Sequence, residues 1–185
     1  MSDLTDTKEI IERFEMCFLN ESRGCEFRAD VPQFVVAGQN YGPFKAGDRS
    51  TLPNWVIEKL ALNGIADVLP NEAYESLRRL QNLRYAEDKQ PHKLQPFPPY
   101  LYSALKRKLV RLQSDKTSLD PQRYEEIGIA QSNMEVLMET RLSKIMRVAK
   151  SGAQQDKRKH MAYEERWLAD KLNDLLSAWR ELLTK

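Results

Sequence analysis

Apolar positions recur at two different periods along the chain, and the change of period divides it. Over residues 6–19, Ile10, Ile11, Phe14 and Phe18 return at helical spacing while Glu9, Glu12, Arg13 and Glu15 face water, which predicts a first helix. Past Asn20-Glu21-Ser22-Arg23-Gly24 the pattern shortens. Glu26–Val31 and Gln33–Ala37 carry Phe and Val in alternation with polar residues, which predicts strands. Gly38, Gly42, Pro43 and Gly47 then crowd together and predict a sharply folded loop with one short strand around Phe44-Lys45. Leu52-Pro53 opens a second helix over residues 53–63, with Trp55, Val56, Leu60 and Ala61 on one face and Asn63-Gly64 as its stop.

From residue 70 the helical period takes over. A helix is predicted from Pro70-Asn71-Glu72, capped by Asn71 and pointing Tyr74, Leu77, Leu80 and Leu83 inward. Lys89–Pro99 holds four prolines and reads as a connector. Helices follow over Tyr100–Leu112, from Asp120-Pro121 to Ser151 with Gly152 as its stop, and over residues 155–184. The expected fold class is α+β, with a small β-rich domain (1–68) followed by a larger all-α helical bundle domain (69–185). The long helices carry wide stripes: Met134 and Met138 on one, Trp167 and Trp179 on the last. Stripes wider than one bundle core covers point to association with other chains, with large side chains as anchors.

Composition adds little. The 185 residues are 41% hydrophobic and 30% charged with net charge +2, as in a soluble globular protein. No apolar run approaches the roughly 20 residues that span a bilayer, so no membrane partner is expected. Cys17 and Cys25 lack metal or disulfide spacing and read as reduced thiols. Charge is unevenly spread: residues 1–30 hold eight acids and four bases, residues 141–160 seven bases and one acid. Arg141, Lys144, Arg147 and Lys150 recur every three residues. They form either a ridge that tracks phosphates or a face neutralised by acids of a neighbouring helix or subunit.

Catalytic patterns are missing. His92 and His160 have no partner at metal-ligand spacing, and residues 38–47 match no phosphate-binding loop. The pairs Glu125-Glu126 and Glu164-Glu165 read as solvated. No cofactor and no enzymatic role are expected.

Four segments together resemble the GINS family of replication proteins, in the class whose small domain precedes the helical one. They are Gly38–Gly47, similar to the family's Gly-Pro-Phe-x-x-Gly turn, and Leu52–Leu60, similar to its Val-Pro-Leu-Trp helix start. Pro96–Tyr102 is similar to its Pro-x-x-Tyr-Tyr helix entry, and Arg141–Ile145 to its Arg-x-x-Lys-Ile signature. Asn54 and Pro98 depart from that pattern. The resemblance makes Gly42, Pro43, Phe44, Gly47, Pro53 and Trp55 an architectural motif that turns Phe44 and Trp55 inward. It makes Tyr100, Tyr102, Met134, Met138, Arg141, Lys144, Ile145, Trp167 and Trp179 candidates for a subunit interface, with Arg141 and Lys144 pairing with acids rather than DNA. It further implies a non-catalytic scaffold in a tetramer with a sister GINS subunit, 2:2 or homomeric, docking on the MCM helicase and a RecJ-like protein. Contact with DNA would be indirect or weak. The setting would be intracellular, at the replication fork, in an archaeal cytoplasm or in a nucleus if the source is eukaryotic. Competing readings are a nucleic-acid-binding helical module built on residues 141–160 and a helical adaptor unrelated to replication.

Overall fold

A computed structural model of the chain describes residues 2–114, 121–151 and 154–184. It is α+β: 62% helix and 13% strand, with the sheet in the N-terminal part and a larger helical region after it. The chain folds into two compact units, one of residues 15–73 and one of residues 1–14 with 74–185.

Helix α1 (Ser2–Asn20) leads into β1 (Ser22–Phe27), the centre of a three-stranded antiparallel sheet. Strand β4 (Arg49–Pro53) pairs with one edge of β1 and β5 (Ala66–Val68) with the other, so Cys25 faces Ser50 on one side and Val68 on the other. Strands β2 (Phe34–Val36) and β3 (Gln39–Tyr41) form a separate hairpin. Ala37 and Gly38 both take positive φ there, the geometry a two-residue hairpin turn needs to match strand twist. Cys25, Phe27, Leu52, Val56, Ile57 and Ala66 make the core of this unit. A Cβ on Gly24 in β1 would meet Leu69 Cδ1 at 2.7 Å and Glu72 Oε1 at 2.9 Å, so a side chain there would push both aside. The strand expected around Phe44-Lys45 is reduced to a single bridge, Val31 to Phe44. Phe44 turns inward and stacks on Phe27 with ring centroids 4.2 Å apart.

Helix α2 (Asn54–Leu62) corrects one expectation: Trp55 is not buried. It is 41% exposed, whereas Asn54, Val56 and Ile57 are buried. At about 100° per residue, Trp55 falls opposite the face that Val56, Ile57 and Leu60 turn to the sheet. The buried place goes instead to Asn54, one of the two departures from the resembled pattern. Its side chain donates to Phe18 O (2.7 Å) and accepts from Arg23 Nη1 (3.3 Å), and its backbone N–H donates to Glu21 O (2.9 Å). An amide can fill a core position at no net penalty only when paired in this way.

In the helical unit, α3 (Leu77–Lys89) starts later than expected, capped by Ser76 rather than Asn71. The preceding residues are held by the sheet unit: Glu72 accepts from the Gly24 N–H at 2.6 Å, and its carbonyl accepts from Arg23 Nη2. A connector, 90–100, follows, then α4 (Leu101–Ser114) and the 31-residue α5 (Pro121–Ser151). The stop expected at Gly152 lies outside the described residues. The predicted last helix is two, α6 (Gln154–Arg158) and α7 (Tyr163–Thr184), broken by a turn through His160. Leu80, Phe97, Leu101, Leu105, Leu137 and Ala162 form one core cluster, and Leu94, Ile145, Val148, Met161 and Ala169 another.

Candidate functional site: a buried ionic cluster and an uncovered helix end

Arg141 and Lys144 are three residues apart on α5, hence on one face, and that face points into the helical unit. Arg141 is 0% exposed, and all five of its N–H donors are used. Nε donates to Glu165 Oε1 (2.8 Å), and Nη2 to Glu165 Oε2 (2.6 Å) and His160 O (3.0 Å). Nη1 donates to Glu87 Oε1 (2.5 Å) and Gln95 O (2.9 Å). The guanidinium lies 3.8 Å from the centre of the Phe97 ring. Lys144 Nζ donates to Glu87 Oε2, Glu87 O (2.9 Å) and Lys93 O (3.0 Å), which accounts for its three protons.

Both carboxylates take further donors. Glu87 Oε1 accepts from the Gln95 N–H (2.8 Å), Glu165 Oε1 from the Tyr102 hydroxyl (2.7 Å), and Glu165 Oε2 from the Ala162 N–H (3.0 Å). That last bond places a Glu at the third position of α7 on its N-terminal cap, half of a capping box. Two cations and two anions therefore close a neutral cluster joining α3, the connector, α5 and the start of α7. Burial works against the Arg141 charge, but the Glu165 hydrogen bonds and the charges of Glu165 and Glu87 outweigh it and raise its pKa above the ordinary value. Burial, then the Glu165 charge and hydrogen bond, push the Tyr102 hydroxyl well above the usual tyrosine range.

Beside the cluster, Glu164 Oε1 accepts from the N–H (3.0 Å) and hydroxyl (2.8 Å) of Ser103 in the first turn of α4, while Oε2 is enclosed without a hydrogen-bond partner. Burial raises its pKa, the Ser103 bonds notwithstanding, and the Glu165 charge adds to the rise. The expectation that Glu164-Glu165 is a solvated pair is thus overturned.

Of the interface candidates, Arg141, Lys144 and Ile145 are interior and have no surface to offer another subunit. The basic ridge loses its first two members for the same reason: their charge is matched inside the fold. Tyr102 is half-buried on Glu165, Met134 packs on the Leu137 cluster, and Tyr100 meets Tyr163 edge to face at 4.9 Å. Trp167 is half-buried with Nε1 enclosed. Met138 and Trp179 are exposed.

Trp179 belongs to a larger feature. Leu168, Leu172, Leu175, Trp179 and Leu182 alternate steps of four and three along α7, the spacing of a coiled-coil seam. Its first part packs inward, with Leu172 against the Ile145 cluster. Beyond that, Leu175 (67%), Trp179 (61%), Leu182 (80%) and Leu183 (67%) are exposed. Glu87 and the connector carbonyls that complete the cluster went unmarked in the sequence, and Glu165 was read as solvated, because their partners lie 24 to 57 residues away.

Among the described residues, no group of three or more His, Cys, Asp or Glu could hold a metal ion, and no helix is long and apolar enough to cross a membrane. No family model and no curated protein matches the chain.

Proposed function

We propose that the chain is a scaffold subunit of a GINS-like assembly, non-catalytic, which holds partner proteins of a replicative helicase in place. The observation that carries this reading is the uncovered end of α7. Covering a Leu or Trp is worth about 1.5–3 kcal/mol, so an assembly that buried these four side chains would gain on the order of 6–12 kcal/mol before the cost of association. Leaving such a seam in water is the signature of an unfilled interface. The neutral cluster at the base of α7 supports the same reading, since it anchors the helix whose far end is uncovered. The resemblance in four segments supplies the family. Within two of those segments, Phe44 packs partly buried against the sheet-unit core and Arg141 is buried in the helical unit.

Native mass spectrometry of the chain, alone and co-expressed with a sister-type GINS subunit, tests the proposal. A tetramer that is lost in a Trp179→Glu/Leu182→Glu double variant is the expected result. A monomer under both conditions rejects it, and association without any affinity for a sister subunit or for MCM favours an adaptor outside replication.

A further inference from the structure

With Arg141 and Lys144 removed from it, the basic character of residues 141–160 does not vanish; the fold rebuilds it from four segments. Arg147 on α5 donates to Pro91 O (3.1 Å) and contacts His92 Nδ1 (3.2 Å), which lays the connector along the helix and brings exposed Lys93 beside it. Arg180 of α7 donates to Lys150 O (3.2 Å), so a further cation joins the end of α5. The turn after α6 abuts the same connector, because Phe97 N–H donates to His160 O (3.3 Å); exposed Lys157 lies in the last turn of α6 and exposed Lys159 in the turn beyond it. On the flanking helices Asp88 pairs with Arg84 and Asp170 with Arg158, while Asp156, Asp174 and Glu181 are exposed. Within residues 141–160 the sequence supplies one acid, Asp156.

From this convergence we infer that the face formed by Lys93, Arg147, Lys150, Lys157, Lys159 and Arg180 binds the phosphate backbone of duplex DNA without sequence preference. Duplex is the form that fits, because lysine-rich clusters act on phosphates as point charges and a duplex presents the denser array of them, about one charge per 1.7 Å of axis. The inference stands apart from the scaffold reading, which needs the apolar side chains of α7 and not these cations.

Fluorescence anisotropy of a labelled random-sequence duplex with the full chain tests it. Binding is expected at about 50 mM salt and should weaken by two orders of magnitude or so by about 200 mM, as for roughly four released counterions. Lys150→Glu/Lys157→Glu/Lys159→Glu should weaken binding at least tenfold, while Lys45→Glu/Lys59→Glu/Lys171→Glu, the same charge change elsewhere, should leave more than half of the affinity. Circular dichroism checks that both variants fold, and the wild-type salt slope is read independently of either. The inference is overturned if the wild type does not bind duplex, if binding ignores salt, if the two variants weaken it equally, or if polyglutamate binds and duplex does not.

Discussion

Arg141 shows how far one residue can be committed to structure. A guanidinium with five donors in use and a ring beneath it cannot be removed without leaving Glu87 and Glu165 buried and under-paired. Arg141→Met should therefore cost about 3–5 kcal/mol, read as a lower urea midpoint of the helical unit. Replacing Arg141, Lys144, Glu87 and Glu165 together by apolar residues of similar volume should recover most of that loss, because all four charges of the cluster then leave as a set. Glu164 behaves oppositely. Its folded pKa is raised, so the stability it contributes is present below the unfolded value and is lost as pH rises through the folded one. The advantage of Glu164→Gln over the wild type should accordingly grow with pH above about 4.5, measured as the difference between two denaturation series. In the sheet unit, Asn54→Leu should cost about 1–3 kcal/mol by removing the bonds to Arg23 Nη1 and Phe18 O, whereas Trp55→Ala, at a side chain 41% exposed, should cost about 1–2 kcal/mol from the covered part of the ring alone.

Elements were legible where local signals set them and illegible where distant ones did. Helix α5 could be read from Pro121 onward, and the connector from its prolines, since both are local rules. Strands β4 and β5 could not: Arg-Ser-Thr-Leu-Pro has one buried apolar residue, and its pairing with β1 makes the strand. The turn that separates α6 from α7 carries neither Gly nor Pro. It exists because His160 O is held by Arg141 and Phe97, and because Met161 and Ala162 are drawn into the two cores. Trp55 misled because a large aromatic beside Val56 looks like core, while the helix phase was fixed by Val56, Ile57 and an amide. For the candidate site, the Arg-x-x-Lys spacing announced a common face, but only the fold could say that the face looks inward. The α7 seam was visible as a stripe, and its exposure was not. Trp179→Glu/Leu182→Glu should reduce binding of an apolar dye to the free chain and leave the unfolding midpoint nearly unchanged, since neither side chain takes part in a core.

At the scale of the whole molecule, the two units have separate cores, and both thiols lie in the sheet unit. Cys25 is buried in the sheet unit, and burial pushes its thiol pKa up, while Cys17 is exposed on α1. A thiol reagent should therefore modify Cys17 at once and Cys25 only at the rate at which the sheet unit opens, seen as two phases of equal amplitude. The division of labour proposed for the molecule is one of chemistry: an apolar helix end for protein partners, and a charge face assembled from four segments.

The completeness of the Arg141 bonding also fixes something that can be watched. Side-chain protons of surface arginines trade with water too quickly to be followed, and their guanidinium groups rotate freely. Those of Arg141 are shut in, each on its own acceptor. Its guanidinium resonances should therefore appear as separate, long-lived NMR signals, and their decay in heavy water should time the opening of the helical unit from a single side chain.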